Sequence, residues 1–265
     1  MAQGGGSNNG HSNPFAFSDP PEPRPRDPAE PEQDDDQLDP EDEKTGPTYP
    51  PDEEVQDLWD ACLPVTDLPF IRERRWDVDQ LRKLDVVRLT PEPDDYDWPV
   101  WWARGRAKTW RLVTRAFSTN GQLRSLHARA IAPVEKGTPK TLWPKGFDAT
   151  SLVMPDRAGL ELLQARSKPR VLLVAEGLTD LVALSLKVAV LPDAAVLSCT
   201  NGCFPALRTI AQHLSIWTDV YSATDHDEPG DRYTREIATA LAPLRVKRLP
   251  ATPPPARPPA QAAHR

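Results

Sequence analysis

The chain has 265 residues and a net charge of −7, unevenly spread: residues 1 to 54 hold 15 Asp or Glu against three Lys or Arg, and residues 55 to 265 hold 24 against 29. Prolines run through the acidic segment and its only sizeable apolar residues are Phe15, Phe17, Leu38 and Tyr49, so it cannot bury enough surface to offset its chain entropy and is expected to be a disordered tail. Three cysteines (Cys62, Cys199, Cys203) are too few for a disulfide framework, and the lack of a signal peptide or an 18-residue apolar run predicts a cytoplasmic protein without a membrane segment.

From 55 to 90, two short stretches of helical spacing are separated by Pro64 and Pro69, with Asp77 placed to cap the second. "TWRLVTRAFSTNGQLRSLHARAI" then reads as two strands joined at Asn120-Gly121, a strong hairpin signal. A loop containing "GTPKTLWPKG" follows, then a short apolar stretch at 151 to 154 and a helix ending before Pro169. After 170 the texture changes to Val/Leu runs alternating with amphipathic helices: "RVLLVAEG", "LTDLVALSLKVA", "AAVLSCTNG", "PALRTIAQHL", "IWTDVYSAT", "DRYTREIATALAPL" and "RVKRLP". That order predicts a parallel sheet covered on both faces. The last fifteen residues are a Pro/Ala tail of extended character.

Ligands of parallel sheets gather at the carboxyl ends of the strands, where this sequence places Glu176 and, one strand later, Asp225 and Asp227. Clustered carboxylates repel one another unless a cation is present, and a hard divalent ion such as Mg2+ or Mn2+ resolves the conflict. Asp180 falls in the first turn of the next helix, either as an outer contact or as a simple complement to the helix dipole. "DHDEPGDRYTRE" also matches part of a calcium-loop pattern. Pro229 occupies a ligand position there, however, and a strand precedes the loop where a helix is needed. Cys199 and Cys203 lack a second Cys or His pair and read as structural thiols. No Gly-rich loop ending in Lys-Ser or Lys-Thr is present, which argues against an NTPase motor. The basic balance after residue 54 suits a nucleic-acid binder as well as an ordinary solvated surface. The tryptophans, among them "WPVWW" at 98 to 102, Trp110 and Trp143, are either core or stacking platforms for single strands; Trp143, in a Pro-flanked loop, is the best stacking candidate.

"VAEGLTD" followed by "DHDEPG" resembles the Toprim domain shared by bacterial-type DNA primases, topoisomerases and several nucleases. "RAFSTNGQLRSLHARAI", "GTPKTLWPKG" and, more weakly, "IRERRWDVDQLRKLDVVRLTP" resemble the part of primase catalytic cores that precedes Toprim. The resemblance spans roughly residues 70 to 250. It implies an α/β fold: a Toprim-like parallel sheet (169 to 250) behind a small α+β subdomain (55 to 168), flanked by tails at 1 to 54 and 251 to 265. It implies that Glu176, Asp225 and Asp227 are catalytic and hold the metal, that Asp180 and Gly230 belong to the same motifs, and that Arg129 and Lys140 handle phosphates. His127 stands where a small residue is usual. No zinc-module cysteines precede residue 55 and no helicase part follows, so template selection is expected to come from another chain or not to occur. The implied function is a primase-like nucleotidyltransferase making short primers on single-stranded DNA from nucleoside triphosphates, working with a separate helicase or replication protein. A Toprim nuclease and a non-catalytic module that binds single strands or a replication partner are the alternatives.

Overall fold

Residues 48–102, 107–199 and 204–250 are described by the computed structural model. The acidic stretch before Thr48, Cys203 and the Pro/Ala stretch after Pro250 lie outside the described residues. Helix α1 (Asp52–Ala61) carries Val55, Leu58 and Trp59 at helical spacing on one buried face, each contributing on the order of 1.5–3 kcal/mol of burial. The next helical stretch divides into α2 (Pro69–Glu73) and α3 (Val78–Leu84), and the Asp77 carboxylate caps α3 by accepting from the Gln80 N–H at 2.8 Å.

A four-stranded antiparallel sheet follows, β1 (Arg88–Leu89), β2 (Leu112–Phe117), β3 (Leu123–Arg129) and β4 (Thr141–Leu142), in that spatial order. The expected hairpin joins β2 to β3, with Gly121 at φ 76°, a left-handed conformation that glycine adopts without strain. Strand β5 (Met154–Pro155) and helix α4 (Arg157–Leu163) lead into the second sheet. Its other elements are β6 (Val171–Ala175), α5 (Leu178–Val188), β7 (Ala194–Ser198), α6 (Phe204–Ala211), β8 (Asp219–Ala223), α7 (Glu228–Ala240) and β9 (Val246–Arg248).

The spatial order of this sheet is β5-β7-β6-β8-β9, with β7, β6, β8 and β9 parallel and β5 an antiparallel edge. The fold is therefore mixed α/β, with the four Val/Leu-rich runs forming the expected parallel strands. Alternation along them serves two cores. Leu173, Ala175 and Val196 pack against α5 and the first sheet, whereas Leu172, Val174, Ala195, Leu197 and Val220 pack against α4, α6 and α7.

Two local readings differ from the sequence expectation. Ile216 and Trp217, read as the start of a strand, are exposed residues of the loop before β8. Helix α7 begins at Glu228, earlier than expected, because Asp227 caps it and Pro229 is tolerated in a first helical turn, where its missing N–H costs nothing. Residues 228 to 236 are thus helical and cannot wrap a calcium ion as a loop. The two sheets are tied by paired backbone hydrogen bonds between Phe117 and Val153, 2.8 and 2.9 Å, and by a shared core in which Leu112 and Ala116 meet Leu173 and Val196.

Candidate functional site

Strands β6 and β8 are adjacent and in parallel register, with Ala175 opposite Ala223. The chain segments leaving their carboxyl ends therefore lie side by side, and the Glu176 carboxylate comes within 3.4 Å of the Asp225 backbone N–H. Gly177 is extended and starts α5, which places Asp180 in its first turn, over Gly177. Crowding by surrounding protein raises the Asp180 carboxyl to about 6, with repulsion from Asp225 and then Glu176 adding to it and Arg129 opposing. Asp180 is itself exposed to solvent.

Asp227 is placed differently. Its Oδ1 accepts from the Gly230 N–H at 2.8 Å, which makes it the N-cap of α7. Gly230 does not form a left-handed turn: it lies inside the helix, where a Cβ would collide with the Asp225 carbonyl, so close approach is what demands glycine. Among the described residues, no three His, Cys, Asp or Glu side chains are gathered closely enough to hold a metal ion as they stand. The structure thus brings together Glu176, Asp180 and Asp225, and leaves Asp227 beside them in a capping role.

Arg129, within electrostatic reach of Asp180, lines a groove of about 530 Å³ with Phe70, Glu73, Arg74, Ile131 and Lys140. Arg129, the last residue of β3, is half-buried, its Nε without a partner among the described residues. Burial and the neighbouring Arg74 hold its guanidinium below the ordinary value, while Asp180 pulls the other way. Lys140 is exposed on the groove's rim. Sequence reasoning missed Arg74, whose Cζ sits 3.6 Å from the centre of the Phe70 ring. The signal was available, since Phe70 and Arg74 are four residues apart around a helical turn. Arg248 was missed too. It bonds the Asp231 carboxylate and the Asp225 carbonyl, and so braces the end of β8 from the neighbouring strand.

Trp143 packs at a tilt against His127, ring centres 4.5 Å apart, and with Trp101, Trp102 and Trp110 lines a small pocket of about 30 Å³. Cys199 is buried, as a structural thiol should be.

No protein-family model matches the chain, and no curated protein is similar to it in sequence. Solved structures are similar at low identity. The DnaG catalytic core is 15% identical over 74% of this chain and 70% of its own, with a TM-score of 0.49. The DnaG primase catalytic domain bound to ssDNA is 14% identical over 68% of this chain and 62% of its own, TM-score 0.45, so the alignment leaves over a third of that protein unmatched. The E. coli primase catalytic core is 19% identical over 68% of this chain and 53% of its own, TM-score 0.39.

Proposed function

We propose that this chain is a primase-like nucleotidyltransferase that assembles short primers on single-stranded DNA from nucleoside triphosphates. The observation that carries the reading is the position of Arg129, which lines the basic groove with Arg74 and Lys140 and is also within electrostatic reach of Asp180 at the acidic sheet edge. Nucleotidyl transfer needs this pairing of a cationic wall for phosphates with an anionic edge for metal.

The donor set fits Mg2+ or Mn2+ in its chemistry, hard carboxylate oxygens, and the charges of Asp225 and Glu176 add to the raised Asp180 pKa. Glu176, Asp225 and Asp227 would hold the ion, with Asp180 beside them. When bound, it supplies charge neutralisation on the transferring phosphate and a more acidic attacking hydroxyl. The chain's own residues do the rest. Arg74, its plane fixed over Phe70, and Arg129, pre-positioned by burial, present guanidinium donors to phosphate oxygens, and Lys140 adds a mobile point charge at the rim. Glu176, whose carboxylate accepts from the Asp225 N–H, would act as ligand or base.

The test incubates the protein with single-stranded DNA, four ribonucleotides and Mg2+ or Mn2+. Labelled short oligomers that vanish in Asp225→Asn and fall by about 100-fold or more in Arg129→Ala are expected. Shortened template with no oligomers would convert the reading to a nuclease using water at the same carboxylates. Unaltered DNA with a gel shift would leave only a binding module.

A further inference from the structure

Antiparallel pairing sets Arg129 opposite Leu112 and Arg115 opposite Leu126, and directly opposed residues share a face of the sheet. Leu112 belongs to the core shared with the second sheet, whereas Leu126 packs with α1 on the other side. Arg115 therefore points away from the groove that Arg129 lines. Its guanidinium carbon lies 4.6 Å from the centre of the Trp59 ring and 5.7 Å from that of Phe117, two cation–π contacts that restrain it.

The guanidinium N–H fork donates no hydrogen bond among the described residues. It pairs at longer range with Asp85, Oδ2 at 3.8 Å, and both oxygens of Asp85 also accept from Arg88, at 2.7 and 3.0 Å. Arg115 lines a pocket of about 230 Å³ together with Lys83 from the end of α3 and Arg157 from the start of α4. Lys83 has no ion-pair or hydrogen-bond partner among the described residues, and Arg157 reaches only Glu161, at 3.6 Å and largely exposed. The other carboxylate of the pocket, Asp156, turns its Oδ1 to the backbone N–H groups of Gly159 and Val196, at 2.7 and 3.1 Å. Three cations thus line a cavity in which Asp85 is shared between Arg88 and Arg115 and Asp156 is bonded to backbone N–H groups.

We propose that this pocket binds a phosphate-type oxyanion, with Arg115 as the bidentate anchor and Lys83 and Arg157 as flanking charges. The cavity has room for a phosphate or diphosphate group, and the fork matches phosphate oxygens. Such a group comes either from a free phosphate compound or from a nucleic-acid backbone. The site is independent of the proposed catalytic groove.

Calorimetric titration of the full chain with inorganic pyrophosphate, and anisotropy with a labelled single-stranded oligonucleotide, test it. Arg115→Met is expected to weaken pyrophosphate binding by about tenfold, the loss of one charge-assisted bidentate contact. Lys83→Ala/Arg157→Ala changes two exposed residues without disturbing the core, so it tests the site even if Arg115→Met fails to fold, and the same direction is expected. Arg74→Ala weakens any pyrophosphate binding at the other groove, so the same titrations repeated in that background isolate the component due to this pocket. Loss of pyrophosphate affinity alone assigns the site to a free phosphate compound, and loss of both affinities assigns it to a strand's backbone. Equal affinities for both probes in wild type and the double variant overturn the proposal.

Discussion

His127 is sealed on β3 against the Trp143 ring, fully buried, with Nδ1 unpaired among the described residues. Burial, and then Arg129, lower it to about 3 from an ordinary value near 6.5, so the folded chain keeps it neutral. The unfolded chain takes up a proton below about pH 6.5 that the folded chain refuses. Stability should therefore fall as pH drops through that value, by about 1.4 kcal/mol per unit at most. Urea midpoints of wild type and His127→Leu at pH 7 and pH 5 check this: the variant is expected to lose that part of the acid sensitivity. At the same scale, Gly230→Ala should displace the Asp225 carbonyl that Arg248 holds, cost about 1–3 kcal/mol and depress the primer synthesis proposed above. That result is read from denaturation and activity side by side. Glycine was legible at 230 as a motif position; its cause, a carbonyl five residues back, was not, because the contact exists only once α7 starts at Glu228.

At the scale of elements, two caps carry most of the consequence. Asp227→Asn retains an acceptor for the Gly230 N–H while removing charge, so α7 should keep its stability within about 0.5 kcal/mol, while Asp227→Ala costs about 1 kcal/mol. If Asp227 also serves the chemistry proposed above, the Asn variant loses primer synthesis with an unchanged melting curve; an active Asn variant confines Asp227 to capping. Asp156 is the counterpart on α4. Its carboxylate caps the helix and also bonds Val196 on β7, and burial raises it to about 6. A folded value above the unfolded one means stability present below about pH 4 and lost as pH rises toward 6. Relative to Asp156→Asn, the wild type should lose up to roughly 3 kcal/mol across that window, measured by denaturation at pH 4 and pH 7. The parallel strands were readable from unbroken Val/Leu runs, whereas α7's start was not, since Pro and Gly next to Asp read equally as turn and as capped first turn.

For the whole molecule, charge separation along the chain is the governing feature. Residues 1 to 47 hold twelve Asp or Glu and three Lys or Arg, and the rest of the chain carries an excess of base. Removing residues 1 to 47 should tighten single-stranded DNA binding at low salt and have little effect at high salt, because attraction of this kind is screened beyond a Debye length of about 10 Å at 0.1 M. A salt titration of both proteins measures it. Among the described residues, no helix is long and apolar enough to cross a membrane.

The sequence by itself determined the order of strands and helices, the hairpin at Asn120-Gly121 and the placement of Glu176 and Asp225 at strand ends, because these follow from local periodicity and turn chemistry. Only the tertiary structure decided that Asp180 joins those acids while Asp227 turns to cap a helix. It also decided that Arg74 and Arg129 share one groove and that Arg115 faces another. The physical reason is that which face a side chain takes, and what lies across from it, depends on register and sheet packing between residues far apart in the chain.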